Sequence, residues 1–533
     1  MPSVASHRRP DADEGTVLIL TLILSVVIAM TIASAIISTS AMERQSRFEM
    51  EQAKALALAE GVTEVVQKSL LTQVANFIPI SPSGVVTLDG EQYPYTIESV
   101  GSPIERIDLD GTNMVIQPYR ISSTVDAEIG SATVTRIVDL TMSPLFQFMI
   151  FAAGDLEILP GPDMTIDGRV HSNQSIYIGT GASSTLTLDT DYVKGVRGIL
   201  RKKKSDNTPT DGAVNIKVHQ TDVFQALDRG RDSVHSGWRH QAKDTWGSSV
   251  QTADHGLKAI AAPGLDNIKA FDPLTGAKGH YHANADLVVM DQGAFGRDGA
   301  PVNLPLNTIR EETLHDGREG KTVKVTEIDM ALLGSSDAFP ANGLLYAFRR
   351  DSSPTQPNGV SLTNGSTLKG PLTVVTEGPI YVRGDYNSNN SQGAAVMADA
   401  VNLLSNAWDG SKTPGSLPVA TETTYILAIV TGNVATPDGG GHYSGGFENL
   451  PRFHENWNGV TARIRGAFIN TFESKVATSQ WRYGDDAYMA PIRDWRFDKS
   501  FMKLSKLPPF TPNAVYCRRV LWDDDTPLAL MAR

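Results

Sequence analysis

Few residues in this chain combine the types and spacing that chemistry requires. His280 and His282 stand two apart in "GHYHANAD", with Asp286 following, a spacing that on a strand would aim both imidazoles to one side, toward a metal. No third ligand is evident, so structural or surface histidines remain the alternative. Asp155 with Glu157, and Asp163 with Asp167, offer the paired carboxylates that glycoside chemistry uses, one as acid and the other as base or nucleophile. Sequence spacing does not supply the carboxyl separation on which that mechanism depends. The chain has no P-loop, nucleophile elbow, Rossmann glycine pattern or H-E-x-x-H. Cys517 is the sole cysteine, which rules out an intrachain disulfide and a cysteine-based zinc site. These residues lead to the expectation of a non-enzymatic protein with no catalytic set, metal or cofactor.

Aromatic residues suggest binding instead. Twelve of the 38 Phe, Trp and Tyr residues fall between Tyr443 and Phe501. Phe468 and Phe472 lie in the apolar "GAFINTF" and read as core. Trp457 in "HENWNG", and Trp481 and Tyr483 in "SQWRYGDD", sit beside polar turn residues, where an exposed ring could stack on a sugar or anchor a protein. Capping of a β scaffold by these rings is the competing expectation. "DLDGTN" at 108–113 has the look of calcium ligands, but it lacks the distal glutamate of an EF-hand and reads as turn chemistry.

The elements that must carry these groups begin with the first 75 residues. From Thr16 through Met42 no charged residue occurs, and Thr16 to Ile37 is long enough to span a bilayer as helix. Its Thr and Ser hydroxyls can bond back to the helix. Ala55, Ala59, Val62, Val66 and Leu70 then repeat at helical spacing among charged residues, and no proline occurs between Pro10 and Pro79. One helix of some 60 residues, about 90 Å long, is expected. A cleaved export signal ending near Ala33-Ser34-Ala35, a plain uncleaved anchor and a filament stem all contain such a run.

The order Gly15, long apolar helix, Glu43 and then "AKALALAEGVTEVVQ" resembles the N-terminus of PilX-type minor pilins and secretion pseudopilins, over roughly residues 8 to 75. The resemblance implies cleavage after Gly15 by a prepilin peptidase, Thr16 as the new N-terminus, and a helix that packs against other pilin or pseudopilin subunits. It also implies a bacterial envelope protein with a single pass through the inner membrane and an extracytoplasmic remainder. Major pilins carry glutamate five residues into the mature chain, where Leu20 stands here; that departure suits a minor subunit at a tip or base. The segment before Gly15 mixes Arg8 and Arg9 with Asp11, Asp13 and Glu14, whereas leaders are usually basic.

Beyond residue 75 the chain reads as β-rich. The net charge is -12, and the only dense basic run is Arg201 to Lys204, read as a solvated loop, so no nucleic-acid partner is expected. Three segments between 84 and 144, divided by Asp-Gly and Glu-Ile-Gly turns, read as an antiparallel meander covering the helix, as in a pilin head. Very short apolar pieces follow (Phe148 to Phe151, Leu156 to Leu159, Met164 to Ile166, Ile176 to Ile178, Leu186 to Leu188), and a second glycine-punctuated stretch carries Gly365, Gly370, Gly378 and Gly384. Strands this short must stack on copies of themselves, which suits a β-solenoid or an irregular sandwich.

The expected fold is α+β, divided into a leader at 1–15, a stem helix at 16–75, a pilin-like head at 76–145, a β-rich repeat region at 146–200, an insertion at 201–342 with helices near Val223 to Leu227 and Glu327 to Leu333, a second β-rich region at 343–435, and an aromatic-rich C-terminal region at 436–533. The function expected of it is a minor pilin or pseudopilin-like component presenting an adhesive or partner-binding module to a carbohydrate or protein. A membrane-anchored adhesin or scaffold unrelated to pili, and a β-helical polysaccharide enzyme, are the alternatives.

Overall fold

A computed structural model describes residues 13–107, 111–272, 274–438, 440–484 and 486–523. One helix occupies Asp13–Ala75, uninterrupted as the absence of proline requires. Its last turn closes with the Ile78 N–H donating to Gln73 O at 2.8 Å and the Phe77 N–H donating to Val74 O at 3.2 Å. This is the paired-bond ending that places one residue in the left-handed region, here Phe77 at φ 57° in a position glycine usually takes.

The meander forms as read: Ser83–Leu88, Glu91–Ser99, Asn113–Asp126 and Ser131–Pro144 pair antiparallel in sequence order. Asp89 and Gly90, both at positive φ (50° and 87°), make the two-residue turn between the first pair. Val62, Val66 and Leu70 from the helix pack against Ile97, Ile121, Val138 and Leu140 from the sheet. The sheet's last strand comes from the far end of the chain. Asn513–Asp523 pairs antiparallel with Ser131–Pro144, and its Val515 enters the same core. The head is therefore built from both ends of the described chain, and residues 145–512 form an insertion between two of its neighbouring strands.

That inserted body is built mainly of parallel ladders, with antiparallel pairs at their margins. Ile150–Ala152, Val170–Ser172, Val193–Gly195 and Val250–Gln251 stack in parallel. Two further parallel ladders stack Leu156–Ile158, Ser175–Ile178 and Gly198–Leu200, and Met164–Ile166, Thr185–Leu188 and Ala213–Lys217. Like sits on like: Leu186 lies between Met164 and Val214, and Leu188 between Ile166 and Ile216, all buried. Each three- or four-residue strand gains its hydrogen bonds from copies about 4.8 Å above and below. A second run stacks Leu287–Met290, Leu344–Phe348, Leu372–Val375, Ala394–Ala398, Thr423–Thr431 and Thr461–Asn470. Its other face stacks Lys321–Asp329, Gly359–Thr363, Pro379–Arg383, Ala400–Leu404 and Pro451–Phe453.

The two runs meet head to tail. Phe468 pairs with Ile150, so the last strand of the long run lies beside the first strand of the early one. The two connections to the head leave from this seam, where the Leu145 N–H donates to Pro512 O at 2.8 Å. Residues 252–286 return the chain from one end of the stack to the other and touch the head on the way. Ala261 and Val515 exchange backbone hydrogen bonds of 2.7 and 3.0 Å, and Asn267 Nδ2 donates to Asn76 Oδ1 at 3.0 Å.

Several local expectations differ from the structure. The segment 201–342, read as an insertion beside the scaffold, places Ala213–Lys217, Leu287–Met290 and Lys321–Asp329 within the ladders. Val223 to Leu227 holds a strand, Phe224–Ala226, in place of a helix. Glu327 belongs to a strand, and the short helix is Met330–Ser335, capped by Asp329. The helix Trp238–Trp246 was not anticipated, although Trp238, Ala242 and Trp246 recur every four residues and are its buried face. The basic run is also no solvated loop throughout. Arg201 is buried, donating to Thr210 Oγ1 at 2.5 Å, Gly212 O at 2.6 Å and Leu227 O at 3.0 Å, and Lys204 pairs with Asp155 at 2.8 Å. Backbone carbonyls and a hydroxyl hold Arg201, and a carboxylate holds Lys204, in place of water.

Candidate functional site

The most distinctive surface is the first half of the stem. Every residue from Gly15 to Thr39 is exposed, and an 18-residue window within this half has a mean hydropathy of 2.7, long and apolar enough to cross a membrane. Its polar atoms are turned inward: Thr21 Oγ1, Ser25 Oγ and Thr31 Oγ1 donate to the carbonyls of Leu18, Leu22 and Ile28 at 2.8–2.9 Å. This leaves an outer surface of almost unbroken hydrocarbon. Gly15 and Thr16 lie in the first helical turns, Leu20 is 67% exposed, and Glu43 is exposed beyond the apolar run. The expected leader falls largely on residues 1–12, which lie outside the described residues.

From Ala55 onward the same helix is covered. Ala55, Ala59, Val62, Val66 and Leu70 are buried, as their spacing predicts. Arg136 reaches from the sheet to Glu64 at 2.6 Å and to Glu60 O at 3.4 Å, clamping helix to sheet at the edge of that stripe. The end of the stem meets the returning strap: Phe77 stacks on His280 with ring centroids 3.8 Å apart and planes 10° from parallel. Burial lowers the His280 pKa to about 4, so the stacked ring is neutral at neutral pH.

The strand that would aim His280 and His282 to one side does not form. They sit on the short helix His280–Asn284, where positions two apart point to different sides. His282 Nδ1 bonds Ala270 O at 2.8 Å, while Asp286 accepts from the Asn342 N–H at 2.8 Å and pairs with Arg297 at 2.9 Å. The four carboxylates are likewise engaged in scaffolding. Asp155 accepts from the Ser175 N–H at 2.9 Å and Asp163 from the Thr185 N–H at 2.7 Å, each one strand along its ladder, and Asp167 accepts from the Phe497 N–H at 2.8 Å. Glu157 is buried and accepts from Ser444 at 2.7 Å and from Thr436, and its pKa is raised by burial. Of "DLDGTN", Asp108, Leu109 and Asp110 lie outside the described residues.

The aromatic segment divides. Trp457, expected to be exposed, is fully buried and meets Phe453 edge-on at 5.3 Å; the polar residues flanking it belong to turns that fold over the core. Phe447, Phe468 and Trp495 form the same packed cluster. Trp481 and Tyr483 remain near the surface, stacked at 6.1 Å with planes 13° apart, and Tyr483 is 52% exposed. Trp481 Nε1 donates to Tyr488 Oη at 3.3 Å and its ring meets Tyr443 edge-on at 5.3 Å, so the pair is held on a rigid base.

No protein-family model matches the chain, and no curated protein matches it. Among solved structures, the competence-associated pilin ComZ from Thermus thermophilus is similar, at 10% identity and a TM-score of 0.28, covering 89% of this chain and 97% of that chain.

Proposed function

We propose that this protein is a pilin-like subunit of the bacterial envelope that packs its stem among the helices of neighbouring subunits and carries a β-rich body outward. One observation supports this above the others: a single 63-residue helix is wholly uncovered and apolar in its first half, and closed under an antiparallel sheet in its second. A lipid bilayer covers such a surface before assembly, and the apolar faces of other stems cover it afterward. The body inserted in the head is far larger than the head itself, which suits a minor position at a tip or base. The parallel ladders are read as a β-solenoid, and the subunit as a non-enzymatic presenter whose Trp481–Tyr483 face contacts a carbohydrate or a protein.

The test is mass spectrometry of the N-terminal peptide from membrane-isolated protein, with and without active prepilin peptidase. A peptidase-dependent chain starting at Thr16 is the expected result. An intact N-terminus would make the helix a plain anchor, and a start beyond Ala35 would make it a discarded export signal; either one ends the filament reading.

A further inference from the structure

The body holds a polar cleft of about 400 Å³ on its second face, unrelated to the stem and to the aromatic pair. It opens where the parallel strands Lys321–Asp329, Gly359–Thr363, Pro379–Arg383 and Ala400–Leu404 end, so consecutive strands contribute to one wall. Loops on a rigid stack are well suited to hold binding groups in fixed places. Gly384, at φ 74°, turns the chain at the rim, and a Cβ there would meet Asn406 Oδ1 at 2.9 Å.

Two buried side-chain atoms facing this cleft lack hydrogen-bond partners, and a half-buried arginine stands beside one of them. Glu327 is 1% exposed; its Oε1 accepts from Arg310, while its Oε2 has no hydrogen bond and pairs with Arg383 Nη1 at 3.8 Å, and burial together with the neighbouring Glu312 carboxylate raises its pKa. Thr363 is buried with Oγ1 unbonded. Arg383, with a side chain 34% exposed, makes no hydrogen bond through its guanidinium among the described residues. A buried polar atom left open costs about 1–3 kcal/mol, which a ligand can return. Around these three, the wall is already set. Asn364 Nδ2 donates to Asp329 at 2.7 Å, and Asp385, which lines the cleft, accepts from the Thr424 N–H through Oδ1 at 2.7 Å.

The charge pattern selects the ligand. An inorganic anion would satisfy Arg383 but face the carboxylates of Glu327 and Asp385, and a simple cation would satisfy those but face Arg310 and Arg383. Glu327 Oε2 needs a donor, the Asp385 carboxylate accepts one, Thr363 Oγ1 accepts either role, and Arg383 needs a carboxylate in fork geometry. We infer that this cleft binds an acidic sugar unit, its carboxylate on Arg383 and its hydroxyls on Glu327, Thr363 and Asp385. The inference does not depend on the filament reading, since a chain that never leaves its anchor would keep the cleft.

The test is calorimetric titration of the full chain in a zwitterionic, sugar-free detergent with a glucuronic-acid disaccharide, against a glucose disaccharide, acetate and glycine. Binding of the acidic disaccharide at least roughly tenfold tighter than any comparator is expected, the value of one charge-assisted hydrogen bond. Arg383→Gln should erase that preference and Thr363→Val should weaken it by roughly threefold, with circular dichroism at the titration temperature confirming that both variants are folded, since Arg383→Gln also removes an ion-pair partner of buried Glu327. No heat up to about 10 mM ligand, equal binding of the neutral disaccharide, preference for glycine, or an unchanged affinity in Arg383→Gln each overturns the inference.

Discussion

The two halves of the stem share one backbone conformation and differ in what covers them. Between Gly15 and Thr39 no side chain is shielded by the chain itself, although almost all are apolar. Between Ala55 and Ala75 the apolar residues Ala55, Ala59, Val62, Val66 and Leu70 form one stripe, and the head sheet buries it. A helix that is hydrophobic all round has no preferred face and needs a surrounding medium, whereas a striped helix needs one flat partner. The first half must therefore find its cover outside the molecule, and the second finds it inside. The strand Asn513–Asp523 adds to that internal cover, since its Val515 packs in the same core.

The largest test of that contrast removes the closing strand. A chain truncated after Thr511 should lose cooperative unfolding of the head, a loss exceeding about 5 kcal/mol, because Ser131–Pro144 becomes an open edge and Val515 leaves the core. Limited proteolysis should then cut near residues 55–75 while the ladder body stays resistant; an unaltered cleavage pattern would show that the strand is dispensable. Next, Leu70→Ala should destabilise the head by about 2–5 kcal/mol in chemical unfolding, while Leu20→Ala leaves the detergent-solubilised monomer within about 0.5 kcal/mol. Equal effects at the two positions would erase the difference between the halves. Ile28→Lys should disfavour membrane insertion by roughly 2.5–3.5 kcal/mol, read as protein appearing in the soluble fraction, with head stability unaffected. Smaller still, Arg136→Met should cost about 1 kcal/mol, since its partner Glu64 is solvent-facing.

A separate effect concerns pH at the joint between stem and body. The folded His280 pKa is about 4, below the usual 6.5, so the unfolded chain binds the extra proton first as pH falls. Stability from this residue is full above 6.5, declines between 6.5 and 4, and levels off below 4. His280→Phe keeps an aromatic partner for Phe77 and should flatten that part of the stability profile. His171 and His454, buried with pKa values of about 4 and about 3, keep the same sign in the body, and Glu448, raised to about 7 by burial, opposes them in the residual slope.

Much of this was legible from residue types and spacing. The helix boundary at residue 75, its buried stripe, the Asp89-Gly90 hairpin and the short strands at Met164–Ile166, Ser175–Ile178 and Thr185–Leu188 follow local rules of periodicity and turn chemistry. The candidate sites were less so. Trp457 and the carboxylates Asp155, Glu157, Asp163 and Asp167 have the polar neighbours of a surface site, yet their roles are packing and hydrogen bonding within the scaffold. Arg383, Glu327 and Thr363 gave no signal, being separated by about twenty to sixty residues and joined only by the ladder register.

The distribution of charge and apolar residues along one stretch was enough to specify the stem, its two halves and the β character of the rest, because each of those follows from neighbours within a few turns or strands. Which segments became neighbours across hundreds of residues was a matter of folding alone. Asn513–Asp523 beside Ser131–Pro144, Phe468 beside Ile150, and the strap at 252–286 against the end of the stem carry no mark in their own composition. Backbone hydrogen bonding is the same for any strand, so such pairings are chosen by which edges remain open and which apolar faces fit when the whole chain has closed.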